Sequence, residues 1–145
     1  MAAKPLPPEI AEAFQAHTLR ARTAWKAGDI AAAEADYLAA WALLPEPKLA
    51  YDRAQSMTGG LVKFFRDTHQ PAKARPWLER MREAYGPADG TGHVEFMAAT
   101  VDHEAGDLDA AYRGFHAQYQ RFKKRPFEGE DPKYLAFYLK RASGG

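Results

Sequence analysis

The residues able to do covalent or metal chemistry in this chain are few and scattered. There are two serines, Ser56 and Ser143, and no cysteine, so a thiol nucleophile, a thiolate zinc site and a disulfide are all excluded. Five histidines, His17, His69, His93, His103 and His116, fall in separate segments, and none lies three or four residues from another, the spacing that would put two imidazoles on one helical face around a metal. No Gly-rich phosphate loop, His-Glu-x-x-His or Gly-x-Ser-x-Gly is present. No metal or cofactor is therefore expected. What remains is the chemistry of recognition: arginine and lysine beside tryptophan and phenylalanine, the residue types that anchor protein interfaces. One run, Arg121-Phe-Lys-Lys-Arg125, is strongly basic. Cations at a helix C-terminus complement its dipole, and that accounts for the run without a ligand.

Composition agrees with a binding role rather than narrowing it. Twenty Lys and Arg against nineteen Asp and Glu leave a formal charge of +1, so no bulk field draws the chain to nucleic acid. A nucleic-acid-binding helical protein and a cryptic enzyme are kept as the alternative reading. No apolar run reaches the roughly 18 residues a membrane helix requires, and the first eight residues carry no apolar signal segment. A cytoplasmic location is expected, in keeping with the absence of cysteine.

The elements that must position these residues are helices. Val, Ile and Thr are sparse, while Ala, Leu, Glu, Lys and Arg are abundant, and apolar residues recur at helical spacing throughout. Turn formers at Gly28-Asp29, Pro45 to Pro47, Asp67 to Gln70, Gly86 to Gly92, Gly106-Asp107 and Arg125 to Asp131 predict seven helices near 8–27, 30–44, 47–67, 70–85, 92–105, 108–124 and 131–142. Pro76 predicts a kink or a later start in the fourth. Asp131 caps the seventh and Pro132 suits its first position.

An internal repeat organises them. Lys26-Ala-Gly-Asp-Ile-Ala-Ala-Ala33 and Glu104-Ala-Gly-Asp-Leu-Asp-Ala-Ala111 share Ala, Gly, Asp and two alanines, with room between for two repeats of about 39 residues; a weaker middle copy begins near His69-Gln-Pro-Ala-Lys-Ala74. The glycine ends one helix in a left-handed turn, the aspartate caps the next, and alanines let the pair approach closely.

This pattern resembles the tetratricopeptide repeat family. Gly28, Asp29, Ala33, Tyr37, Ala40 and Pro45 match the second half of its motif; Gly106, Asp107, Ala111 and Phe115 match in the third copy, which departs at Gln118 and Lys123; the middle copy keeps Ala74 and Leu78 without the glycine. First helices match only at Ala21 and Ala99. The resemblance implies an all-α single domain over 1–145, of about three helix-turn-helix repeats (8–45, 47–86, 91–125) closed by a capping helix at 131–142. It implies a non-catalytic module that holds a protein or peptide in a concave groove. Carried over from the family, the groove places are Gln15, Thr18, Arg22 and Trp25; Ser56, Gly59, Lys63 and Arg66; and His93, Phe96, Thr100 and His103. Arg22, Lys63 and Arg66 beside Trp25 and Phe96 would suit an acidic partner with an aromatic anchor, although both aromatics could instead be core. The carboxylate-clamp subtype grips peptide C-termini with asparagines, and this chain has none. The tail Phe127 to Lys140, with Tyr134, Leu135, Tyr138 and Leu139 at helical spacing, reads as the cap. Together with Ala40-Trp-Ala-Leu-Leu-Pro-Glu-Pro47 it looks like small bacterial proteins of this family found beside secreted toxins. A toxin domain held by an immunity protein is the partner that likeness implies.

Overall fold

The computed structural model describes residues 3–86 and 90–144. Among them are seven α-helices: α1 (Pro8–Lys26), α2 (Ile30–Ala42), α3 (Asp52–Asp67), α4 (Pro71–Tyr85), α5 (His93–Glu104), α6 (Leu108–Phe122) and α7 (Pro132–Ala142). The sequential pairs α1·α2, α3·α4 and α5·α6 pack as helical hairpins. The predicted break at 86–92 includes residues 87–89, which lie outside the described residues, as do residues 1, 2 and 145 of the expected 1–145 domain.

The hairpin turns share one geometry. Gly28 and Gly106 take φ +83° and +84°, and the following Asp29 and Asp107 amides close onto Ala24 O and Asp102 O, both at 2.9 Å. Each aspartate then caps the next helix, Asp29 Oδ1 accepting from Ala32 N at 3.1 Å and Asp107 Oδ1 from Ala110 N at 3.4 Å. The middle copy makes the same turn without glycine. His69 stands at φ +61°, and Gln70 N donates to Phe65 O at 2.8 Å. Four residues past each of these capping positions, Ala33, Ala74 and Ala111 are fully buried.

The described chain divides into two compact units, Met1–Leu61 and Val62–Gly145, with the division inside α3. In the first, α1 and α2 pack through Ala21, Ala33 and Ala40, all fully buried. Lys48 Nζ donates to Trp41 O (3.2 Å) and Leu44 O (2.7 Å), placing a cation on the carbonyl end of α2. The third helix was expected from residue 47 but begins at Asp52. A 3-10 turn spans Lys48–Ala50, and Tyr51 is extended because the N-terminal segment pairs beside it: Lys4 N donates to Ala50 O and Asp52 N to Lys4 O, both at 2.8 Å.

In the second unit α4 begins at Pro71 and continues past Pro76, so the later start expected there does not occur. Helices α5 and α6 approach so closely that a Cβ on Gly114 would stand 2.8 Å from Ala99 Cβ. The core gathers Phe96, Ala99, Ala111 and Phe115 from this hairpin with Phe127, Tyr134 and Tyr138 from the tail. The expected stripe on α7 is corrected in detail: Tyr134 and Tyr138 are buried, Leu135 and Phe137 half-buried, and Leu139 exposed. At the end of α7, Gly144 (φ +81°) donates to Arg141 O at 3.1 Å, as Gly28 does to Trp25 O and Gly106 to His103 O. Helix α7 thus ends as the first helices of the hairpins end.

Candidate partner-binding surface

The common turn fixes the register of the first helices, so the expected groove places can be followed one hairpin at a time. On α1, Gln15 and Arg22 are exposed and Thr18 is half-buried. Trp25 is half-buried, its ring edge-on to Tyr37 at 6.5 Å and 82°. Burial pushes the Tyr37 phenol up while the Arg22 charge nearby pulls it down. A cation, an indole and a phenol are therefore gathered on one surface, the combination that makes interface anchors.

Another stripe of α1 is used differently. Leu19, Arg20, Thr23, Ala24 and Ala27 line a cleft of about 460 Å³ with Asp29 and Asp36. His17 Nδ1 lies 2.9 Å and Arg20 Nε 3.4 Å from Asp36 Oδ1. The His17 hydrogen bond holds the Asp36 carboxyl below its usual range, with Arg20 adding to it against the opposing effect of burial.

On α3, Lys63 is exposed and Arg66 is only 2% exposed. Arg66 is a correction to the groove set, because its guanidinium is spent inside the protein. Nε and Nη2 donate to the two Asp67 carboxylate oxygens at 2.8 and 3.1 Å, and Nη1 donates to Thr100 Oγ1 at 3.1 Å and Glu130 Oε1 at 3.3 Å. Its charge also lies 5.5 Å over the Tyr134 ring. Burial disfavours the charge, and Asp67 outweighs it. A buried cation so fully bonded ties three segments together and is strongly destabilising to remove.

On α5 the correction extends to Phe96 and Thr100, 1% and 0% exposed. Phe96 packs on Phe115 (5.5 Å) and Phe127 (5.0 Å), and Thr100 donates to Met97 O at 2.7 Å while accepting from Arg66. His93 and His103 are half-buried; His93 lies against Tyr85, and His103 stands edge-on to Tyr134 (5.3 Å) and Phe137 (4.9 Å). The tail lies over Phe96 and His103, Arg66 of α3 lies against Thr100, and Tyr85 of α4 lies against His93.

A carboxylate fastens the tail. Glu104 accepts from Lys133 Nζ at 3.0 and 3.1 Å and from Tyr134 OH at 3.2 Å, with His103 Nδ1 at 3.0 Å. Burial pushes the Glu104 carboxyl up, but the bonds from His103, Lys133 and Tyr134 outweigh it and hold it below the usual range. Burial, with the Glu104 charge beside it, raises the Tyr134 phenol well above its ordinary value even against Arg66.

Sequence reasoning missed two features here. Gln118 takes the place that Ala40 fills in the first hairpin and is 4% exposed, with Oε1 bonded to nothing among the described residues. Gly92 stands at φ +71°, where a side chain is strained, and a Cβ there would also crowd that oxygen and the Phe122 ring. Gln118 also lines a cleft of about 430 Å³ with Ala98, Ala99, Gly114, Ala117 and the charged Arg82, Glu95, Asp102 and Arg121. The second feature is an aromatic row, Tyr112, His116 and Tyr119, whose spacing on α6 was visible in the sequence.

Among the described residues no group of three or more His, Asp or Glu side chains is placed to hold a metal ion, and no helix is long and apolar enough to cross a membrane. No protein-family model matches the chain, and neither a curated protein nor a solved structure proved similar to it.

Proposed function

We propose that the chain is a non-catalytic binding module of the tetratricopeptide kind that receives a protein or peptide partner on the open face of α1. One observation carries the reading. Places equivalent by turn geometry are covered on α5 by the chain's own tail and by Arg66 and Tyr85, whereas on α1 they present Arg22 beside Trp25 and Tyr37. The Arg22 charge favours an acidic partner, and the indole supplies the anchor. The likeness of the Ala40–Pro47 and Phe127–Lys140 segments to immunity proteins makes a toxin domain the partner of choice, within the cytoplasm.

A photo-crosslinking amino acid at position 22 tests the surface. The partner captured there should lose about 30-fold or more in affinity for Trp25→Ala, as hot-spot aromatics do, and should associate more slowly with Arg22→Glu. Both variants must keep wild-type helicity by circular dichroism. A partner that binds both variants as it binds the wild type is not held by this face. The toxin reading is tested apart from the surface: a toxin gene should lie beside this one and co-expression should restore growth to cells making that toxin, whereas no such gene, or continued killing, rules that partner out.

A further inference from the structure

The basic run Arg121-Phe-Lys-Lys-Arg125 is not used up by the helix dipole. Only Arg121 lies in the last turn of α6; Lys123 (φ +57°) follows the helix, and Lys124 and Arg125 belong to the next turn. Arg121, Lys123, Lys124, Arg125 and Lys140 are exposed, and among the described residues none pairs with a carboxylate. By contrast, Arg75, Arg82, Lys133 and Arg141 of the same unit are paired with Asp102, Glu95, Glu104 and Asp109.

The aromatic row of α6 runs toward Lys123, whereas Arg121 lies on the opposite face of the helix, in the cleft with Glu95 and Asp102. Tyr112 is stacked on His116 (5.6 Å, 18°) and on Tyr138 of α7 (5.5 Å, 21°), and Tyr119 lies 5.0 Å from Tyr138. Arg141 stands 5.5 Å over the Tyr112 ring and Lys123 5.8 Å over Tyr119, so a cation bounds the row at each end. The contrast with the interior is chemical. Beneath lie Phe96, Phe115, Phe127 and the buried Tyr138, while the outer stripe of α6 is Tyr112, His116 and Tyr119, rings with an apolar body and a polar tip. Tyr138 OH is bonded to His116 Nδ1 at 2.9 Å, but the Tyr112 and Tyr119 hydroxyls have no partner among the described residues.

We propose that this outer face of α6, with the cations Lys123, Lys124 and Arg125 that follow it, is a second docking surface, and that it takes an acidic protein segment. Two phenol hydroxyls and the unpaired ammonium and guanidinium groups are donors matched to carboxylates. Tyr and Arg are also the residues interfaces favour at their centres. Single-stranded nucleic acid fits less well: base stacking needs open ring faces, and here the rings are already stacked on one another. From Tyr112 to Lys123 the stripe runs about 16 Å, the reach of about five extended residues.

The test titrates the full chain with a fluorescent Glu- and Asp-rich peptide of about eight residues carrying one leucine, and in parallel with an oligothymidine of similar length. Nuclear magnetic resonance maps the site. The proposal expects shifts at Tyr112, Tyr119 and Lys123, affinity for the peptide above that for the oligonucleotide, and a weakening of about tenfold or more when Lys123, Lys124 and Arg125 are all changed to Glu. Tyr119→Phe, which removes only a hydroxyl, should weaken binding with the fold intact. In the Arg22→Glu protein the peptide-induced shifts at Tyr112, Tyr119 and Lys123 should persist, which separates this surface from the one on α1. No shifts on α6, tighter binding of the oligonucleotide, or equal binding by the charge-reversed protein would each overturn it.

Discussion

The first and third hairpins begin from the same instruction and end with opposite surfaces. In both, a Gly-Asp turn with one left-handed residue and one capping carboxylate joins helices that meet through buried alanines. Yet α1 shows its four register places to solvent or half-shows them, whereas α5 buries Phe96 against Phe127 of the tail and Thr100 against Arg66 of α3. A repeat motif therefore sets the scaffold and the angular position of side chains. Whether a position becomes surface depends on what the chain lays over it afterwards.

The sharpest way to break this comparison is to truncate the same register place in both hairpins. Phe96→Ala should cost about 3 to 5 kcal/mol in urea unfolding, because the ring fills a site between Phe115 and Phe127 that cannot collapse fully. Its counterpart Thr18→Ala on α1 should change stability by less than about 0.5 kcal/mol, since its hydroxyl bonds only Gln15 O within its own helix. Equal effects at the two positions would mean that the tail does not cover α5 as described.

How far this difference was legible beforehand follows from the physics of each residue. The turns were readable because a left-handed residue, a cap and small neighbours are local requirements, and Ala74 betrayed the middle copy even though His69 replaces its glycine. The start of α3 was not readable, because Tyr51 is held extended by hydrogen bonds from Lys4, far away in sequence. Arg66 was misplaced for a similar reason: an arginine belongs at the surface unless Asp67, Thr100 and Glu130 all reach it, and only folding brings the last two there. The aromatic row on α6 had the right spacing, but tyrosines at helical intervals look the same whether they face core or solvent.

Acid should weaken both hairpins through different carboxylates, and more at the third. Glu104 is held below its ordinary value, so its bonds stabilise the fold fully above pH 4.5 and are lost as the pH falls through its lower folded value. Asp36 behaves alike, with its stabilisation complete above pH 3.8 and lost below its own folded value. Glu104 is 13% exposed against 24% for Asp36 and accepts three side-chain donors, so its effect is expected to be larger, on the order of 1 kcal/mol. Unfolding free energies measured from pH 6 down to 2.5, roughly the carboxylate range, should fall less steeply for Glu104→Gln than for the wild type, with a smaller flattening for Asp36→Asn. A Glu104→Gln profile parallel to the wild type would show that the carboxylate does not fasten the tail.

The smallest effect separates the three turns themselves. His69 holds the left-handed place that Gly28 and Gly106 hold in the other hairpins, at φ +61° against +83° and +84°. A side chain in that conformation costs about 1 to 2 kcal/mol, whereas glycine there is free of strain but loses about 0.5 to 1 kcal/mol more conformational entropy on folding. The difference leaves His69→Gly more stable than the wild type by about 0.5 to 1 kcal/mol. The exchange is clean, because His69 is exposed and its imidazole makes no hydrogen bond among the described residues. The reverse substitutions complete the comparison. A Cβ at Gly28 or Gly106 would meet no atom within 4 Å, so Gly28→Ala and Gly106→Ala report backbone strain alone. Each should lose about 1 kcal/mol in chemical unfolding. If His69→Gly were instead destabilising while the two alanine variants lost stability as expected, the middle turn would not share the geometry of the other two, and the register that makes Lys63 and Arg66 the sequence equivalents of Arg22 and Trp25 would fall with it.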